Sequence, residues 1–466
     1  MSGSQISDEQ LKKLGELEAR MERLPIRPYP RKWLIILGIG YFFAFYDILA
    51  LSYNFISPMV VALHMTTILL ADSASATLFG YIVGEYTIST ISDYKGRRIG
   101  LIVNALVVAI GTIICAISVN ATELIIFRFV TGMGIGAEIS IINTYMSEVT
   151  PAHMRGKMTQ WAYFSGALGF ALTPFIAAVV IPINANGWRY LFAIPAVMAI
   201  AIVFFRFSMP ETPRWLVLKG RINDAENVVA NMEAYVKSKI NTLPPPKEFH
   251  PEASYVSQYP TKDIMNKKYA SRLLVIVIFW FLNYTLAYGF LGFAPTIFDT
   301  AGFTFLSTAL YLGIGSTGYI VGAVAMTWIA DMWERKYLVI CAVIPAIFAA
   351  FIFALALIDH SVGLIAVGSF LGAFATAFAV PAYTYTAEMF PTRARATGFA
   401  LSDGIGHLGG AIVPFIFSAI VILEVSKIVP TGSKFFILLG ILEIVAAIVL
   451  FAGPKTTNKS LEVISP

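Results

Sequence analysis

Of the 466 residues, 57% are hydrophobic and only 13% are charged, against about 25% charged in an ordinary soluble domain. A water-soluble protein could not solvate such a surface, so lipid must cover it. The formal net charge of +5 would suit an acidic partner such as nucleic acid, but the placement of the charges along the chain excludes that reading.

Residues 1–32 are polar, read as a cytoplasmic N-terminal segment, and carry no signal-peptide pattern. Within them 8–24 reads as a short amphipathic helix, with Ser7 and Gln10 fitting a capping box and Leu11, Leu14, Leu17, Met21 and Leu24 on one face. Such a helix would rest on the membrane surface or on the central loop, or serve a regulatory role. Six apolar stretches of membrane-spanning length follow, at 33–62, 74–92, 99–119, 122–146, 158–182 and 188–208. A polar segment, 209–271, opens with Pro210-Glu211-Thr212-Pro213-Arg214-Trp215-Leu216, turns helical near 223–239, and is stopped by Pro244, Pro245 and Pro246. Six more stretches occupy 272–298, 305–330, 337–358, 361–386, 397–423 and 434–453, before a polar tail at 454–466. The expectation is an all-α membrane protein of twelve transmembrane helices. They form two pseudo-symmetric six-helix bundles, 33–208 and 272–453, joined by a cytoplasmic linker.

Among the 33 Lys and Arg, only Arg189, Lys427 and Lys434 fall in loops of one parity, and Arg128 lies inside a span. The rest sit in the termini or in loops of the other parity. That bias is the positive-inside rule, and it predicts a multi-pass protein of the cell membrane with both termini cytoplasmic. Cys115 and Cys341 both fall inside spans, so no disulfide framework is indicated. The run Gly132-Met133-Gly134-Ile135-Gly136 sits mid-span with no preceding strand, which favours close helix approach over a nucleotide site.

The two halves repeat one another. Ser147-Glu148-Val149-Thr150-Pro151-Ala152-His153-Met154-Arg155-Gly156 is echoed by Ala387-Glu388-Met389-Phe390-Pro391-Thr392-Arg393-Ala394-Arg395, and Pro174 and Pro414 each lie 19 residues beyond Arg155 and Arg395. A second pair of loops reads Asp93-Tyr94-Lys95-Gly96-Arg97-Arg98 and Asp331-Met332-Trp333-Glu334-Arg335-Lys336. Duplicated membrane halves with matched charged loops are the signature of a secondary transporter. Asp93, Arg97, Arg98, Glu148 and Arg155, mirrored by Asp331, Arg335, Glu388 and Arg395, form a candidate cytoplasmic gate, a network that locks one conformation and releases in the other.

Ionisable groups inside spans cost about 2.5–3.5 kcal/mol each on insertion scales, so each needs a reason. Asp47 in the first span and Arg128 in the fourth are the candidates for mechanism. A carboxylate that pairs with an arginine in one conformation and loses it in another binds and releases a proton, whereas a permanent pair only pins two helices. Glu138, ten residues deeper than Arg128, either joins the proton coupling or bonds to neighbouring hydroxyls. Asp403 and His407 share a helical face in the eleventh span, and Glu443 lies in the twelfth.

From about residue 33 to 453 these motifs resemble the major facilitator superfamily, whose loop between spans two and three reads G-x-x-x-D-x-x-G-R-R; here Ser89 replaces its first glycine, and Glu334 replaces glycine in the second copy. Pro210–Leu216, Arg128 with its glycine-rich continuation, and the Glu148–Gly156 loop look like the sugar porter family and its metabolite:proton symporter relatives. The resemblance implies that Asp47 and Arg128 stand where proton-coupled sugar porters keep their coupling pair. It implies a substrate site at Tyr163, Trp280, Asn283, Tyr284 and Tyr383, where aromatic and hydroxyl groups replace the amides usual in a sugar cradle.

The resulting expectation is proton-coupled symport of a small polar metabolite, sugar or sugar-like first, by alternating access, with protons and the lipid bilayer as the other partners and a monomer as the working unit. An organic-acid symporter with Arg128 on the substrate carboxylate is the rival, followed by a uniporter, an exporter or a transporter-like nutrient receptor. No nucleophile, metal cluster or phosphate loop stands in a suitable context, so neither an enzyme nor a cofactor is expected.

Overall fold

A computed structural model describes residues 8–240, 242–246, 264–329, 333–378, 380–390, 395–423 and 430–456. Ser7, Asp331 and Arg393 lie outside them. The first half contains α2 (Arg31–Asn54), α4 (Thr67–Lys95), α5 (Arg97–Ile117), α6 (Ala121–Val149), α7 (Ala152–Val180) and α8 (Gly187–Arg206). The second contains α11 (Lys267–Thr300), α12 (Phe305–Ile329), α13 (Arg335–Ile358), the pair α14 (Val362–Phe378) and α15 (Val380–Glu388), α16 (Arg395–Leu423) and α17 (Thr431–Leu450). Together they supply 12 helices long and apolar enough to cross a membrane, with α14 and α15 making one span. Lipid-facing positions confirm the pattern from outside: Phe204 is 70% exposed, Val197 64% and Ile448 62%.

The first span departs from the expected 33–62. Helix α2 stops at Asn54, and a separate turn, α3 (Met59–Ala62), begins after Pro58. Ser57 explains the break, because its hydroxyl donates to Asn54 O and accepts the Met59 N–H at 3.1 Å.

The same pairings recur in the two halves: α4 against α6 and α12 against α14, α2 against α7 and α11 against α16. Glycine sets the closest of them. A Cβ on Gly132 would fall 2.0 Å from Thr77 O, and one on Gly136 2.2 Å from Tyr81 O, so α4 and α6 meet backbone to backbone as the glycine run predicts.

The amphipathic segment forms α1 (Asp8–Glu22) and docks on the linker helices α9 (Pro213–Leu218) and α10 (Ile222–Lys237). Its Leu14, Leu17 and Met21, with Leu24 beyond, are buried, as are Val229, Met232 and Val236 of α10. Arg20 and Arg23 both pair with Glu233, at 2.9 and 2.6 Å. Burial alone would push the Glu233 carboxyl up; hydrogen bonds and charge from the two arginines outweigh it and hold the carboxyl below its ordinary value.

The two halves touch at the end remote from this linker layer. Ser52 Oγ bonds Leu291 O, Ser75 Oγ bonds Ala411 O at 2.8 Å, and Ser316 Oγ bonds Ala171 O at 3.0 Å.

Candidate functional site

Asp47 on α2 and Arg128 on α6 meet in the interior of the first half, 2.8 Å apart and each 0% exposed. Arg128 Nε also donates to Thr77 Oγ1 on α4 at 3.1 Å, and the guanidinium lies 5.7 Å from the Phe192 ring on α8. Four helices therefore hold one cation. The pair is incompletely satisfied: Asp47 Oδ1 and Arg128 Nη2 have no partner among the described residues. A buried charge pair gains most when its remaining donors and acceptors find partners, and these two atoms are the pair's open positions. Arg128 lines a cavity between the halves, with Ser52 and Thr77 on one side and Tyr288 and Gly410 on the other.

Glu138 does not join this pair. Ten residues along α6 is about 15 Å, and there Glu138 meets the guanidinium of Arg206, from the end of α8, and the amide of Asn104 on α5. Arg206 also donates to Leu101 O. Sequence reasoning passed over Arg206, because an arginine at the linker-side end of a span reads as a topology signal. It is 1% exposed.

In the second half Trp280, Asn283 and Tyr284 share one face of α11. The Trp280 ring stacks on Tyr284 at 4.9 Å and on Tyr383 of α15 at 4.8 Å, while its Nε1 donates to Thr386 Oγ1 at 2.9 Å. The Tyr284 and Tyr383 hydroxyls lie 2.9 Å apart, and Tyr284 donates to Asp403 Oδ1 at 2.7 Å. His407 continues the cluster: its Nδ1 is 3.4 Å from Asp403 Oδ2, and its ring stacks on Tyr81 of the first half at 4.3 Å. Asn283 donates to Glu443 Oε1 at 2.8 Å. One cavity is lined by Tyr163, Trp280, Asn283, Tyr284 and Tyr383 together, with Tyr163 contributed by α7 of the first half.

The charged loops form two separate assemblies. In the first half Arg97 pairs with Glu148 at 2.9 Å and with Asp93 at 2.8 Å. Arg98 enters through its backbone, whose N–H donates to Glu211 at 3.1 Å. Burial pushes the Glu211 carboxyl above its ordinary value, against the N–H groups of Thr212, Arg98 and Arg97 that favour its charge. Arg155 stands apart from Glu148: it lies 3.8 Å from Glu22 of α1, whose carboxylate also accepts the Ala152 N–H at the start of α7. In the second half Arg335 pairs with Glu388 at 2.6 Å. Asp331 and the side chain of Arg395 lie outside the described residues.

This architecture has close parallels. The niacin transporter NiaP of Acinetobacter baylyi is 25% identical over 457 residues, which is 96% of this chain and 99% of that protein. The 4-hydroxybenzoate transporter PcaK of the same organism is 27% identical over 351 residues, 73% of this chain and 74% of that protein. Among solved structures, the inward-open xylose transporter XylE from E. coli superposes with a TM-score of 0.72 at 20% identity, covering 94% of this chain and 99% of that one. That likeness establishes the fold, twelve membrane-spanning helices in two six-helix bundles. The family model described as "Sugar (and other) transporter" matches residues 32–466, and the chain belongs to that family.

Proposed function

We propose that the chain is a proton-coupled symporter working by alternating access, and that its substrate is a small organic acid bearing a ring. The observation that carries this is the buried Arg128, whose Nη2 has no partner among the described residues and whose side chain lines the cavity between the halves. A donor left open on a fixed cation suits a carboxylate. The Trp280–Tyr284–Tyr383 stack suits a flat ring. The niacin and 4-hydroxybenzoate transporters among the relatives point the same way.

In this reading Asp47 carries the proton. Substrate binding draws Arg128 off Asp47, the freed carboxyl takes a proton, and both are released when the halves rock to open the other side. Contacts between the halves at the end remote from the linker support a state closed on that side. By the positive-inside argument the linker end is cytoplasmic, and a single chain suffices. Sugar or sugar-like symport is the second reading, favoured by Asn283 and the tyrosine hydroxyls around the cavity.

The test is internal pH in proteoliposomes supplied with nicotinate, 4-hydroxybenzoate or D-xylose, against protein-free liposomes and Asp47→Asn. Acidification with an aromatic acid, absent from both controls, is expected. Acidification with D-xylose alone would restore the sugar reading. Labelled uptake without any pH change would return Asp47 to a structural role.

A further inference from the structure

The two gate loops are held by matching hydrogen bonds, with one exchange. In the first half the Tyr145 hydroxyl donates to Pro210 O at 3.0 Å. Glu211, the next residue, places its carboxylate at the N-terminus of α5, accepting from Arg97 N–H at 2.9 Å and from Thr212 N–H at 2.9 Å. In the second half Tyr385, three residues before Glu388 as Tyr145 is before Glu148, donates to Pro454 O at 2.8 Å. Here too a threonine N–H reaches a carboxylate at the start of a helix: Thr456 N–H donates to Glu334 at 2.8 Å, immediately before α13.

The carboxylate occupies the same joint in both halves but hangs from different strands of chain. Pro210-Glu211-Thr212 becomes Pro454-Lys455-Thr456, while Gly96, the residue before α5, becomes Glu334 before α13. Backbone separates the two joints as well: Gly96 has φ 109°, a conformation that favours glycine, whereas Glu334 has φ −58°. A Cβ on Gly96 would fall 2.2 Å from Glu211 Oε2, so a side chain there would displace the carboxylate that the docking segment supplies. Lys455 takes no part in the joint through a carboxylate and lies 5.3 Å from the Tyr337 ring. Lys336 adds grip, its Nζ donating to Phe451 O at 2.7 Å and Gly453 O at 2.8 Å.

We infer that Glu334 supplies from the helix cap the carboxylate that Glu211 supplies from the linker in the first half, and that it is the positioning residue of the joint between Pro454–Thr456 and the start of α13. The joint fixes the start of α13 and with it Arg335, which pairs with Glu388, as Glu211 fixes Arg97 beside Glu148.

Hydrogen–deuterium exchange on the full chain in nanodiscs tests this without any substrate, so its failure is distinct from failure of the symport reading. Glu334→Gly should speed exchange in the segment 451–456 by about tenfold, as expected for loss of a charge-assisted hydrogen bond. Lys455→Glu should do likewise, because two carboxylates would then crowd one joint. The double variant Glu334→Gly with Lys455→Glu should return to near wild-type protection, since it restores one carboxylate to the joint, hung from the docking segment as in the first half. Amides at the start of α5 serve as the internal reference for folding; where a glycine variant disturbs them, Glu334→Gln is read instead and should be intermediate. A double variant as unprotected as the singles, or Glu334→Gly indistinguishable from wild type, would overturn the inference.

Discussion

The interiors of the two bundles solve the same packing problem with different chemistry. The first half buries ion pairs, Asp47 with Arg128 and Glu138 with Arg206, each drawing on three or more helices. The second half gathers rings, with Trp280 stacked on both Tyr284 and Tyr383, His407 tilted against Tyr284, and carboxyls answered by Tyr284 and Asn283. The duplicated frame is kept, so the divergence is one of task. A charge pair can store and release a proton; a ring cluster can select a shape. On the proposed function the proton-carrying pair and the ring-binding stack line separate walls, one in each half, and the halves meet where Tyr81 stacks on His407.

The largest effect should come from breaking the first wall's pair. Asp47→Asn keeps the shape of the side chain but removes the group that can take a proton. Uphill accumulation of substrate driven by a pH gradient is expected to disappear, while exchange of labelled for unlabelled substrate at equal pH persists. Loss of both would mean that Asp47 positions the helices and nothing more.

Glu138→Gln sharpens the contrast inside the same half. Removing one partner of a buried pair leaves the other charge uncompensated, at about 3–5 kcal/mol, so thermal unfolding should fall markedly. Proton-driven accumulation should survive in the molecules that remain folded. Replacing both partners, Glu138→Leu with Arg206→Met, should recover much of the stability. Accumulation lost in Glu138→Gln would instead place Glu138 on the proton's route.

These pairs also show where sequence was readable. The twelve spans, the halves and the cavity residues were legible because each carries a local signal: apolar length, repeated loops, or aromatic residues where a family keeps its cradle. Asp47 and Arg128 were legible because a charge in mid-span has few explanations. Arg206 was not, since one arginine at a span's end is what the positive-inside bias supplies by default. The partner of Arg155 was not legible either: Glu22, 133 positions earlier in the chain, lies beside it because α1 folds back over the linker helices. Partners brought together by tertiary docking leave no periodic trace.

Breaking the second wall should cost less. Trp280→Ala removes the ring at the centre of the stack. Aromatic pairs contribute about 0.5–1.5 kcal/mol beyond burial, which converts to a rise in KM of up to about tenfold. The maximal rate and the ratio of protons to substrate should be unchanged, because the coupling pair lies on the other wall. A changed stoichiometry would show that recognition and coupling are not separate after all.

The smallest effect concerns the layer that α1, α9 and α10 form over the first half. Glu233 is held below its ordinary value of 4.5, with burial opposing and Arg20 and Arg23 prevailing. A carboxyl depressed in the folded state contributes docking strength that is complete above the unfolded value and lost as pH falls through the folded one. Helix α1 should therefore stay docked at neutral pH and loosen only below about pH 4.5. A fluorophore on α1 would report it, as would faster proteolysis of the first 30 residues. Glu233→Gln should give the loosened state at neutral pH, and the second half, which has no such layer among the described residues, should respond to neither change. Equal loosening at both ends of the molecule would mean that acid acts on the whole fold, not on this joint.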